Sequence, residues 1–237
     1  MHLRAKPSRF VILFNGRTGA IHVVEALRSD PRFDIRGERL ADLKPEGAAD
    51  QLTWMRDFYK RKRDRSIRAV GFKAKPFDIL DQSAFAALVR DLDVRIIHLH
   101  RRNIVRAAVA TINADRMQRE TGNRDPDHAP EPFELDIAEL RHSIDVIAHA
   151  DSSLVAYIAS MRQPTLDLCY EDLGARPADA VAALSRFLHV DLDTAILARV
   201  ADRQAAPCDL RKILTNYEDV ARALLGTPHA AMLEDDS

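Results

Sequence analysis

Several large protein classes are excluded by what this sequence lacks. It has two cysteines, Cys169 and Cys208, in 237 residues. Two isolated cysteines make neither a disulfide framework nor a zinc site, and such usage suits a reducing cytoplasm. No apolar run approaches the length of a membrane span, so any membrane contact would be peripheral. The apolar run at residues 10–14 is too short for the core of a secretion signal. There is no basic excess either. Lys and Arg number 35 against 36 Asp and Glu, for a formal net charge of −1. A nucleic-acid binder that works by neutralising phosphates normally carries clear positive charge, so no nucleic-acid partner is expected. No Gly-Lys-Ser or Gly-Lys-Thr occurs anywhere, which argues against a nucleotide-dependent kinase or ATPase loop.

What is present is an alternation of two periodicities. Residues 10–14 (Phe-Val-Ile-Leu-Phe) are apolar without a break and read as a strand buried on both faces. Residues 18–27 follow with helical spacing, Val23, Val24 and Leu27 sharing a face. Further strands are predicted at Phe33–Arg36, 67–73, 94–100 and Thr165–Cys169. Helices are predicted at 51–62, 84–92 (with Ser83 as cap), 104–117, 135–161 as one helix or two, Pro177–Leu188 and 217–225. Repeated strand–helix alternation predicts an α/β fold with three layers, a mostly parallel sheet flanked by helices on both faces. Hydrophobic residues at 46% and a length of 237 fit a single domain over residues 1–237. The stretch 121–133, with three prolines and several acids, is a candidate lid loop.

Polar motifs gather at the carboxyl ends of these strands. Asn15-Gly16-Arg17-Thr18-Gly19-Ala20 joins the first strand to its helix, where free N–H groups and the helix dipole favour an anion. Arg17 adds a full charge and a fork of donors. Gly37-Glu38 ends the second strand, Lys73-Ala74-Lys75 the third, and Arg101-Arg102-Asn103 the fourth. Each alone is also what a solvated strand end looks like. Together they border the one crevice where open α/β sheets bind ligands. His98 and His100 alternate on one strand face, but no third ligand is in view, so no metal is expected. The basic run Lys60-Arg61-Lys62-Arg63 reads as a solvated helix end.

The order and spacing of these pieces resemble the sulfotransferase family, which has a fold like that of P-loop nucleotide hydrolases. The resemblance runs through Arg17-Thr18-Gly19, Gly37-Glu38 and Arg101-Arg102-Asn103. It continues through Leu168-Cys169-Tyr170-Glu171-Asp172-Leu173 and Phe187-Leu188. The closing stretch, Ile213-Leu214-Thr215-Asn216-Tyr217-Glu218 and Leu225-Gly226-Thr227, is similar to the tails of bacterial carbohydrate sulfotransferases, including the nodulation-factor type.

The resemblance implies a co-substrate, 3′-phosphoadenosine-5′-phosphosulfate (PAPS), and a hydroxyl acceptor of carbohydrate or glycolipid type. The turn Gly16, Arg17, Thr18, Gly19, Ala20 and Ile21 would hold the phosphosulfate. Arg17 would stabilise the leaving oxygen, Lys73 the sulfuryl group, and Glu38 would be the base. Arg102 and the helix position of Ala110 would face the 3′-phosphate. The chain departs from the pattern at Ala20 and Ala110, where the family has hydroxyl residues, and at Lys75, where many members have a histidine base. Each missing hydroxyl removes about 1–3 kcal/mol from donor binding. A sulfotransferase-like module that binds nucleotide without chemistry is the alternative these departures leave open.

Overall fold

The computed structural model describes residues 6–122, 131–197 and 209–234. Most of the candidate lid loop, and Cys208, lie outside the described residues.

Five strands form one parallel sheet: β1 (Ser8–Phe14), β2 (Phe33–Arg36), β3 (Ala69–Ala74), β4 (Arg95–His100) and β5 (Thr165–Cys169), in the spatial order β2-β3-β1-β4-β5. Every pairing is parallel, so the mostly parallel sheet of the sequence reading is wholly parallel here. The central strand is β1, which explains its unbroken apolar run. Phe10, Ile12 and Phe14 pack on one face against α1 (Ala20–Arg28) and α8 (Pro177–Leu188). Val11 and Leu13 pack on the other, against α3 (Ala48–Lys60), α4 (Gln82–Asp91) and α6 (Ile137–Met161). All five of these side chains are essentially buried, each stabilising the fold by roughly 1.5–3 kcal/mol.

Helix starts follow their caps. Asp136 accepts from the N–H groups of Ala138 and Glu139 at 2.7 and 3.0 Å and starts α6, which then runs unbroken until Arg162 turns left-handed. For α4 the cap is Asp81, which accepts from Ala84 N at 2.8 Å, and not Ser83. Both residues can cap, but Asp81 meets the N–H three residues on and leaves Ser83 inside the first turn. Short helices that periodicity does not reveal are α2 (Arg39–Asp42), α7 (Tyr170–Ala175) and α9 (Leu210–Ile213). A third apolar cluster joins α5 (Ile104–Thr121) and the start of α6 to α9 and α10 (Tyr217–Leu224). Its far end is tied to the start of α5: Asn103, the cap of that helix, donates from Nδ2 to the Met232 carbonyl at 2.7 Å.

The connections from β1 and β4 leave in opposite directions, β1 toward β2 and β4 toward β5. The crevice at their carboxyl ends is therefore a topological switch point. The basic run 60–63 has a structural job: Arg61 and Arg63 both reach Asp34 of β2, at 2.9 and 2.7 Å.

Candidate functional site

The turn after β1 is built to be tight. Thr18 is buried and its hydroxyl donates to the Asn15 carbonyl at 3.2 Å. Asn15 Nδ2 donates to Asp151 of α6 at 2.6 Å, tying the turn to the covering helix. Arg17 and Gly19 both take positive φ, 61° and 69°. Gly19 caps α1 from the left-handed region, and a Cβ there would lie 2.3 Å from Cε2 of Tyr170. Glycine is needed at that position both for its backbone angle and for the approach of the ring. The first turn of α1 holds no acid, so the helix end keeps its partial positive charge. Ala20 is buried behind the turn, and Ile21 is exposed beside it.

On the β3 side of the turn stands an ion cluster. Glu38 follows β2, and its two carboxylate oxygens meet Lys73 Nζ at 3.0 Å and Lys75 Nζ at 2.5 Å. Both ammonium groups also lie over the Phe14 ring, at 5.4 and 5.6 Å, so three strand ends converge. Burial pushes the Glu38 carboxyl up, but the hydrogen bonds and charges of Lys75 and Lys73 outweigh it and hold it below its ordinary value. Glu38 is thus a carboxylate at neutral pH. The sequence reading brought Glu38 and Lys73 together correctly. Lys75 it treated only as the place of an absent histidine, although residues two apart on a strand share a face.

The other side belongs to β4 and β5. Arg101 lies over the Tyr170 ring at 4.9 Å and approaches the Arg17 carbonyl with Nη1 at 3.5 Å. Arg101 and Tyr170 thus both pack against the turn. The buried Glu171 carboxylate accepts from the backbone N–H groups of Arg102 and Asn103 at 3.0 and 3.1 Å, and from Cys169 Sγ at 3.0 Å. Burial raises the Glu171 carboxyl, and these donors more than reverse it, leaving it below its usual range. The Arg102 guanidinium reaches Asp172 at 3.1 Å. Ala110 sits half-buried on α5, and the neighbouring Thr111 hydroxyl is committed to the Ala107 carbonyl at 2.8 Å. The roles of Arg101, Tyr170 and Glu171 were missed from sequence, where they stood only as parts of a pattern. His98 and His100 flank Asp167, at 2.6 and 3.3 Å.

A cleft of about 820 Å³ opens beside Glu38. Its walls include Arg36, Gly37, Asp50, Trp54 and Asp57, from the end of β2 and from α3. Trp54 stacks on Phe58 with centroids 5.2 Å apart, and both residues line the cleft. Among the described residues that line it, none comes from α6.

No family model and no curated protein sequence matches the chain. Solved structures do. Mouse sulfotransferase SULT7A1 complexed with PAP is similar over 97% of this chain and 75% of its own, at 12% identity and a TM-score of 0.52. The sulfotransferase domain from the curacin biosynthetic pathway matches over 96% of this chain and 83% of its own, at 16% identity and a TM-score of 0.51. A sulfotransferase from Alicyclobacillus acidocaldarius matches over 97% and 95%, at 19% identity and a TM-score of 0.52. The chain therefore has the sulfotransferase fold.

Proposed function

We propose that the protein transfers a sulfuryl group from PAPS to a hydroxyl of a carbohydrate or glycolipid acceptor. The observation that carries this reading is the convergence, at the strand ends of a sulfotransferase fold, of an anion-cradling turn with a lysine-bracketed carboxylate. One fold neighbour was solved with PAP, the desulfated donor.

The residues divide the work as follows. The turn from Gly16 to Ile21 binds the phosphosulfate through its backbone, and Gly19 lets the Tyr170 ring close against that turn. Arg102 takes the 3′-phosphate. The acceptor oxygen bonds to sulfur while the bond from sulfur to the phosphate oxygen breaks, its electron pair leaving with the phosphate. Arg17 stabilises that charge, and fixed donors of this kind are commonly the largest catalytic contribution. Glu38 accepts the hydroxyl proton. Its two lysines depress its basicity, so the step needs one of them to let go. Lys73, drawn to the sulfuryl oxygens, does so and leaves Glu38 a better base at the moment of transfer. No metal ion is assigned a part.

The carbohydrate assignment is supported by the cleft beside Glu38, where the Trp54 ring suits a sugar face and the carboxylates suit its hydroxyls. A cytoplasmic setting belongs to the same proposal, on the sparse cysteine content. Incubation with sulfur-labelled PAPS and a panel of sugars tests it. Label should move to a sugar with the wild-type chain and not with Glu38→Gln. The second reading, a nucleotide-binding module, draws on Ala110 and on Thr111, whose hydroxyl is spent on its own helix. Binding of PAP without transfer to any acceptor would favour it.

A further inference from the structure

We infer that Arg176 is a second ligand for the donor's 3′-phosphate, paired with Arg102, and that Asp172 holds the two arginines together until that phosphate displaces it. The inference rests on the donor reading above. Asp172 Oδ1 receives Arg102 Nη2 at 3.1 Å and Arg176 Nη2 at 2.9 Å. Two guanidinium groups bonded to one oxygen lie within about 6 Å of each other, a gap that a phosphate spans with two of its oxygens. The carboxylate therefore marks a position where two planar cations already converge on an anion.

Both arms are rooted on fixed backbone. The Arg102 N–H is held by the buried Glu171 at 3.0 Å. Arg176 lies between α7 and α8, and its carbonyl accepts from Asp179 N and Ala180 N at 3.1 and 3.2 Å. The side chains themselves are open to solvent, 58% exposed for Arg102, 61% for Arg176 and 30% for Asp172. Exchange of one anion for another at such a site carries little desolvation cost, and exposed ion pairs are individually weak. A phosphate dianion with three acceptor oxygens outcompetes a single carboxylate for two arginines. Hydrogen bonding from Arg176 first, then Arg102, holds the Asp172 carboxyl below its ordinary value, so it is a competing anion throughout the neutral range.

The same geometry answers a deficit. The helix position that carries Ala110 offers the phosphate no hydroxyl, and Thr111 is committed to Ala107. Arg176 supplies guanidinium donors in place of that hydroxyl. Asp172 then sets specificity: a nucleotide lacking the 3′-phosphate brings nothing to displace it and leaves the pair closed.

The test is calorimetric titration of the full chain with PAP and with 5′-AMP. Arg176→Ala should weaken PAP binding about fivefold to twentyfold and leave 5′-AMP within twofold, while Arg176→Lys falls between. Asp172→Asn should tighten PAP about threefold to tenfold, again without effect on 5′-AMP. If the wild-type chain prefers PAP but Arg176→Ala binds it equally well, the inference is overturned and the donor reading stands. Loss of PAP binding in a folded Asp172→Asn chain also overturns it, since Asp172 would then be supporting Arg102 rather than competing with the phosphate. A wild-type chain that does not distinguish PAP from 5′-AMP removes the donor reading and this inference with it.

Discussion

Replacing Gly19 with alanine probes the turn after β1 through a single methyl group. The added Cβ would sit 2.3 Å from Cε2 and 2.5 Å from Cδ2 of Tyr170, and the backbone there has φ of 69°. The left-handed angle alone costs an L-residue about 1–2 kcal/mol. The ring must also move, and moving it weakens the stacking of Arg101, now 4.9 Å from the centroid, which is a contact of about 0.5–2 kcal/mol. Together Gly19→Ala should destabilise the chain by about 2–4 kcal/mol, a fall in Tm of about 4–16 °C for a chain of this size. Thermal unfolding of the single variants and of Gly19→Ala with Tyr170→Ala separates the two sources. With the ring removed the clash is gone, so the double variant should cost about 1–2 kcal/mol less than the two singles added. Strict additivity would refute the argument that Tyr170 is what demands a glycine at position 19.

Three other outcomes follow from the site. Arg17→Ala should abolish sulfuryl transfer while circular dichroism and Tm stay near wild type; normal transfer rates would take Arg17 out of the mechanism. Glu38→Gln should lower kcat by about 10²–10⁴-fold. Because the folded Glu38 carboxyl lies below its ordinary value of 4.5, its contribution to stability is present above that pH and is lost as acid protonates it in the fold. The Tm gap between wild type and Glu38→Gln should therefore narrow as pH falls below about 4.5; a gap unchanged between pH 7 and pH 3 would mean the lysine pairing does not stabilise the fold. Ala110→Ser should tighten PAP binding about fivefold, the value of one hydroxyl hydrogen bond, with no change for 5′-AMP. No change for PAP either would show that this face of α5 does not meet the phosphate.

The layers of the fold were legible because β1 carries its environment in its composition: residues 10–14 are apolar without a break, as suits a strand covered on both faces. Phe33–Arg36, set between Pro31 and Gly37, and Thr165–Cys169, set after Pro164, were placed at the bounds the fold shows. The four-residue α2 and α9 were not, since a single turn has no period to detect. The cap of α4 was misassigned because Asp81 and Ser83 are both good caps and only the backbone decides between them. At the site, Arg17, Glu38 and Lys73 were picked out as residues at strand ends that match the family pattern, and the folded chain pairs Glu38 with Lys73. Arg101, Tyr170 and Glu171 could not, because their partners lie up to 84 residues away and they act on the turn itself. Lys75 lay between these cases. Its spacing from Lys73 put both on one face, but only the folded chain brings Glu38 between them.

The central claim is that this crevice recognises a 3′-phosphorylated adenine nucleotide as the carrier of the transferred group. Calorimetric titration of the wild-type chain with PAP, against 5′-AMP as control, tests it most directly. The account predicts one PAP site per chain and binding at least tenfold weaker for 5′-AMP, the share about 1.4 kcal/mol from the 3′-phosphate would give. Equal binding of the two nucleotides, or binding of neither, would contradict it.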